Sequence, residues 1–470
     1  MEEKERRMLT PEELTEKLML MPDSFYLVDL RNIREDFYAL TEKDLEKNPI
    51  LITGVYICYV MDGRLSEARK ILELIPEEWK IIKKGCLLVN PEIRWKEFMG
   101  ILEEVKGWGR TLGWIILTAS RPYLLNGVND FTRLYPFLER KKDEFMEYAG
   151  ILYGKDFVNV MHKLCVAEYK YQQSDLLVAE VSVSQTVKEF DKRNEQRFLF
   201  VALYLMGKIL LTQGRTVKAV SYIKGIRNFI RKNGVAEFSY NIDAAETLFA
   251  LYEGDYVHVR KWMEHDAPDE FSNFNMLDLY RYMVKMRCYI VMRKYPSVVA
   301  LAEKIRPLLE TGKRHMDLCE IDLLIAMSLW SAGEKELAFE ALDRAVKIAR
   351  RRKYYRLIAD EGEVMLNLLV DWLKVRKSDD FIMRVVELTR SMAIAQPLYL
   401  KNLCKSDEAF SQMEIDMLKL LEHGKTKEEI GEYFFISVNT VKYHMKNIYS
   451  KLGAKSPNQA VWNAKVMGII

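Results

Sequence analysis

Apolar residues recur along most of this chain at the three- and four-residue spacing of a helix face. Phe198, Ala202, Leu205, Ile209 and Leu210 make one such face, Gln213-Gly214-Arg215 breaks it, and Val217, Val220, Ile223, Ile226 and Ile230 make the next. Two amphipathic runs joined by a short polar turn predict a helical hairpin, because each apolar stripe must be covered and a short connection brings the two together. Comparable breaks fall at Ser174, Gly214, Gly254, Lys294 and Gly333, which are 40, 40, 40 and 39 residues apart. This period predicts stacked hairpins sharing a continuous core that no single pair could bury.

Two turns have the tetratricopeptide form, Met61-Asp62-Gly63-Arg64-Leu65-Ser66-Glu67-Ala68 and Ser331-Ala332-Gly333-Glu334-Lys335-Glu336-Leu337-Ala338. In each, Gly ends one helix and a small Ala lets the next helix approach closely. The standard tetratricopeptide period is about 34 residues, so these arms are expected to be longer. Between Asn90 and Lys155 no repeat register can be followed. With only 12 Pro and 22 Gly in 470 residues, the expected class is all-α. The expected layout is a tetratricopeptide-like α-solenoid over residues 1–395, a linker over 396–407 and a compact domain over 408–470.

In that last stretch three pairs, Ser411 with Glu414, Thr426 with Glu429 and Ser456 with Gln459, have capping-box spacing. Pro457 suits a first helical position. A further start falls at Ser437, after the apolar turn Phe434-Phe435-Ile436, so four short helices are expected, with a helix-turn-helix at about 426–445. On the helix from Ser437 to Leu452, Val441, Met445, Ile448 and Leu452 share one face, while Asn439, Lys442, Tyr443, Lys446 and Ser450 share a roughly opposite one. From Tyr433 to Ile470 the chain holds Lys442, Lys446, Lys451, Lys455 and Lys465 and no acid, a local charge suited to phosphate.

The spacing of Phe410-Ser411-x-x-Glu414, Leu420-Leu421-x-x-Gly424, Ile430, Ile436-Ser437-x-x-Thr440-Val441-Lys442-x-His444-x-x-Asn447-Ile448-Tyr449-x-Lys451-Leu452-Gly453, and then Ala460, Ala464 and Gly468, resembles the LuxR-type helix-turn-helix. The array resembles, more loosely, the sensor arm of the large LuxR-family regulators. Three positions depart from the family: Phe410-Ser411 stands for Leu-Thr, Gly431 for Ala and Pro457 for Arg. The resemblance implies that Lys442, Tyr443 and Lys446 face base edges of double-stranded DNA while Thr440 and Lys451 hold phosphates, within an interface of Ser437, Asn439, Thr440, Lys442, Tyr443, His444, Lys446, Asn447 and Lys451. It further implies a homodimer on DNA. Ala460, Val461, Ala464 and Gly468 offer small residues for the contact between copies.

Composition narrows the rest. Lys and Arg number 71 against 68 Asp and Glu, a net charge of +3, so no chain-wide field draws in nucleic acid and a DNA site has to be local. Six cysteines lie without C-x-x-C pairs and six histidines without metal-ligand spacing, so no metal, cofactor or disulfide framework is expected. Gly424-Lys425-Thr426 lacks the earlier Gly of a phosphate loop, since position 419 is Lys, and it reads as a helix end followed by a cap. The large regulators often carry an ATPase ahead of the array, and none is expected here. The run Arg350-Arg351-Arg352-Lys353-Tyr354-Tyr355-Arg356 reads as the solvated end of a repeat helix. No stretch is apolar enough for a membrane span and Met1 to Arg7 opens no signal sequence, so a cytoplasmic protein is expected. The reading is a non-enzymatic, sequence-specific transcription regulator whose array senses a small molecule, peptide or protein. Its rival is an interaction scaffold whose terminal helices no longer recognise DNA.

Overall fold

The computed structural model describes residues 7–19, 32–104, 121–127, 129–153, 155–193, 196–233, 239–271, 274–401, 410, 412–452, 454–466 and 469–470. Among them every regular element is helical, apart from one isolated bridge between Asn126 and Asp130. Five hairpins form the repeat. They are Lys155–Gln172 with Leu176–Lys192, Gln196–Thr212 with Thr216–Asn233, Ser239–Glu253 with Tyr256–His265, Leu279–Val291 with Tyr295–Thr311, and His315–Ser331 with Lys335–Arg352.

One backbone device sets the period. Ser174, Gly214, Gly254, Arg293 and Gly333 all adopt the left-handed conformation, with φ from 57° to 94°. The next N–H reaches back five residues to a helix carbonyl: Asp175 to Lys170, Arg215 to Leu210, Asp255 to Ala250, Lys294 to Tyr289 and Glu334 to Leu329, at 2.9–3.0 Å. That bond satisfies a carbonyl left unpaired at the helix end and reverses the chain sharply. The left-handed residue of the fourth turn is Arg293 rather than Lys294. The small residues behave as expected, since Ala68 and Ala338 are both buried.

Val217 departs from the expected face. Val220, Ile223 and Ile226 are buried, whereas Val217 is 77% exposed. Helical side chains lean toward the N-terminus, so a first-turn residue overhangs the Gly214 turn instead of meeting the partner helix. The side chain of Ile230 lies outside the described residues.

The stretch without a repeat register has a structural reason. Residues 121–138 are not a hairpin but an irregular segment with a 3-10 turn at Thr132–Phe137, and their partners lie within the array. The Leu124 N–H donates to Glu168 at 2.7 Å, the Arg314 guanidinium to Asn126 at 3.0 Å, and Arg121 pairs with Asp317 and Glu320. The ends of the array also meet. Tyr171 donates to Asp360 at 2.6 Å, Gln396 to the Leu211 carbonyl at 2.6 Å, and Tyr252 stacks on Tyr399 at 3.8 Å.

Enclosure leaves Leu279–Val291 buried along its whole length, charged residues included. Buried ions persist only when paired and hydrogen-bonded. Arg287 accordingly donates to Glu320 at 2.8 Å, pairs with Glu361 and reaches the Tyr399 hydroxyl at 3.1 Å. Burial pushes the Glu320 carboxyl up, but Arg121 and Arg287 outweigh it and hold the group at about 2. The N-terminal hairpin Ile50–Met61 and Leu65–Leu72 joins the same mass. Asn275 donates to Asp62 at 2.8 Å, and a Cβ on Gly63 would meet Leu308 of helix Tyr295–Thr311. Buried apolar residues from Leu14 to Leu400 form one continuous core, and Met417 to Ala464 form a second.

Candidate nucleic-acid interface

The second core belongs to helices Gln412–Glu422, Lys427–Phe434, Val438–Leu452 and Pro457–Val466. Thr426 and Glu429 form a complete capping box: the Thr426 hydroxyl accepts from the Glu429 N–H at 3.3 Å and the Glu429 carboxylate accepts from the Thr426 N–H at 2.8 Å. Lys425 pairs with Glu429 at 2.9 Å and Gly424 takes φ +73°, so this tripeptide is spent on ending one helix and starting another. Ser456 accepts from Gln459 at 3.3 Å, while the Gln459 side chain accepts from the Lys455 N–H instead of the Ser456 N–H. Pro457 opens that helix from an exposed position. Of the first expected box, Ser411 lies outside the described residues.

The turn between the two central helices is tight. Phe435 caps the first with φ +57° and is 96% exposed, and the Ile436 N–H donates to the Gly431 carbonyl at 2.9 Å. A Cβ on Gly431 would stand 2.9 Å from the Ile436 carbonyl, so hydrogen at this position lets the turn close onto the helix. Ser437 then starts the helix Val438–Leu452, its hydroxyl accepting from the Thr440 N–H at 3.1 Å and lying 2.9 Å from the Thr440 hydroxyl.

Val441, Met445, Ile448 and Leu452 are buried, as the wheel predicts. Ser437, Asn439, Lys442, Tyr443 and Lys446 are exposed, and Thr440, His444 and Asn447 are half-buried on the flanks. The Tyr443 ring meets the His444 ring edge-on at 5.7 Å. The structure therefore gathers eight of the nine expected interface residues on or beside one surface of one helix. The ninth, Lys451, lies in that helix, but its side chain is outside the described residues, as is that of Ser450, and Gly453 and Gly468 are outside them altogether.

Electrostatics sharpen the charge reading. The described ion pairs of this domain are Lys419 with Asp416, Lys425 with Glu429 and Lys465 with Glu422. Among the described residues, Lys442 and Lys446 thus face solvent without a carboxylate partner. Lys465 is spoken for, because its ammonium holds the Glu422 carboxyl below the usual range. The available charge is concentrated on the exposed face of Val438–Leu452 rather than spread over all five lysines.

Two features of the last helix differ from the sequence reading. Ala460 and Ala464 are fully buried in the domain core, and Val461 is half-buried. Small residues there admit the neighbouring helices of the same domain and are not a free face for a second copy. Asn463, which no sequence pattern singled out, is buried and donates to the Leu452 carbonyl at 2.8 Å. It caps the C-terminus of the exposed lysine-bearing helix, and the only advance signal was a polar residue between Ala460 and Ala464 on an otherwise small, apolar stripe.

Comparison with known proteins agrees with this geometry. Residues 408–464 match the family described as bacterial regulatory proteins, luxR family, and residues 154–376 match the MalT-like TPR region. This chain is a LuxR-family regulator with a MalT-like TPR region. It is 22% identical over 293 residues to the HTH-type transcriptional regulator MalT of Klebsiella pneumoniae (strain 342), an overlap of 57% of this chain and 32% of that protein. The LuxR-family chain thus spans about a third of the curated relative's length. Its MalT-like match begins where the first regular hairpin begins, at Lys155, and leaves out the irregular segment before it. Among the described residues no group of three metal-ligating side chains converges, and no helix is long and apolar enough to cross a membrane.

Proposed function

We propose that this chain is a sequence-specific DNA-binding transcription regulator. Residues 408–470 bind double-stranded DNA as a homodimer, 396–407 serve as linker, and the array over 1–395 responds to a small molecule, peptide or protein. The observation that carries the reading is the helix Val438–Leu452, whose apolar stripe is fully packed while Lys442 and Lys446 stand exposed beside Asn439 and Tyr443. A helix presented in this way after a tight turn fits a major groove, with side chains near its start directed at base edges. The relative's printed role as a transcriptional regulator points the same way.

Selection of bound duplexes from a random pool, followed by a salt titration of the selected site, tests the proposal. A recovered sequence preference and an affinity that falls steeply with salt are expected, because each phosphate contact releases counterions. Recovery of no preferred sequence, together with salt-independent or absent binding, replaces it with the interaction-scaffold reading.

A further inference from the structure

The basic run Arg350 to Arg356 is not one strip of solvated charge. Arg350 pairs with Asp379 at 2.9 Å and Arg356 is buried on Asp360. Arg352 is half-buried with no carboxylate partner among the described ion pairs. Two hydrogen bonds bring further cations to it. The Thr132 hydroxyl lies 2.6 Å from that of Tyr354, which sets Arg133 beside the turn carrying Arg352. The Met316 N–H donates to Asp130 at 3.0 Å, which holds the start of helix His315–Ser331, and with it Lys313 and His315, against the same segment.

Asp130 is the one acid among the charged neighbours of His315, the others being Arg352, Arg133 and Lys313. Its carboxylate already accepts from the Thr132 N–H at 2.9 Å and the Met316 N–H at 3.0 Å. Three permanent positive charges therefore converge on a single carboxylate that is engaged elsewhere. Arg133, His315 and Arg352 are each half-buried, so water screens their repulsion incompletely. Burial, and then Arg352, lower the pKa of Arg133; burial lowers that of His315 first, with the three cations acting against the opposite pull of Asp130. The cluster repels itself, an arrangement that costs stability until an anion sits among the cations.

We propose that Arg133, Lys313 and Arg352, with His315 at their edge, bind a compact dianion, the phosphate group of a small phosphorylated molecule. Guanidinium forks match the oxygens of a phosphate, and cations fixed by three separate segments suit a compact tetrahedral group. A duplex backbone is met instead by exposed, flexible lysines such as Lys442 and Lys446. As the ligand to which the array responds, this anion rests on the regulator reading; its binding does not.

The full chain is titrated with inorganic phosphate and pyrophosphate at constant ionic strength, balanced with chloride, while thermal unfolding and heats of binding are followed. A saturable rise in Tm that chloride does not reproduce is expected. Arg133→Gln and Arg352→Gln should each weaken phosphate binding about tenfold or more, the worth of a charge-assisted contact. Each should also raise the Tm measured without phosphate, because repulsion is relieved. An equal phosphate response in wild type and both variants overturns the proposal, as does a lowered phosphate-free Tm, which marks the arginines as structural. Affinity for a duplex should be unchanged in both variants, and its loss in place of the phosphate response assigns the cluster to the DNA backbone and overturns the small-ligand assignment.

Discussion

Three single positions separate what a side chain recognises from what it supports. If Lys446 meets a base edge, Lys446→Ala costs about 1–3 kcal/mol on the preferred site and flattens preference at one base pair. Lys451→Ala, at the position the family uses for phosphate, should weaken all sequences about equally and lower the salt slope by about one ion. Affinities for the site and its single-base variants at several salt concentrations distinguish the two, and an equal effect of Lys446→Ala on every sequence removes its base-reading role. The third position is Glu168, a fully enclosed carboxyl that accepts from the Leu124 N–H and the Tyr135 hydroxyl and is pushed up by burial from 4.5 to about 7. Because its folded pKa lies above its unfolded value, its contribution is fully present below about pH 4.5 and is lost as pH rises through about 7. Glu168→Gln should therefore gain on wild type between those limits, on the order of 2–3 kcal/mol by pH 8, as read from denaturant melts at both ends. A stability difference that does not change with pH excludes Glu168 as the titrating group. The lysines were legible in the sequence because a free face keeps helical periodicity. Glu168 was not, because its enclosure is made by a segment 44 residues away.

At the scale of elements, the turns were the most legible feature, and for a physical reason. A left-handed residue followed by a five-residue back-bond is a local arrangement, so it leaves a local mark, usually Gly. Where Ser174 and Arg293 take the glycine's place the mark fades, and the position slips by one, as at Lys294. The helix-turn-helix was legible through its caps for the same reason. Its turn residue Phe435 pays the left-handed penalty with almost no packing in return. Phe435→Gly should stabilise the isolated 402–470 fragment by about 0.5–1 kcal/mol, and a lower Tm would show that the exposed ring is held by something else. Asn463→Ala should act in the opposite direction, removing the cap on Leu452 from a buried site at a cost of about 1–3 kcal/mol. Loss of helical signal in thermal melts of the fragment measures both. The buried Ala460 and Ala464 were misread because close packing within a domain and close packing between copies select the same small side chains.

At the scale of the molecule, periodicity implies a ribbon of neighbours, whereas this array folds back on itself. Arg121 meets Asp317 and Glu320, and Gln173 meets the Lys353 carbonyl, across some 180 to 200 residues of chain. A simple solenoid assembles as it lengthens, one repeat supporting the next. Here residues 121–138 leave a ribosome long before their partners at 314–320 and 354 have been made. At about 5–20 residues per second the wait is roughly 10–40 s. Throughout that interval Arg121, Tyr123, Leu124 and Leu125, all buried in the finished protein, lack the enclosure that buries them. A nascent chain stalled before residue 314 should accordingly stay open to protease within 121–138, and one released after 361 should not. The order of synthesis, and not the repeat, then decides when this molecule closes.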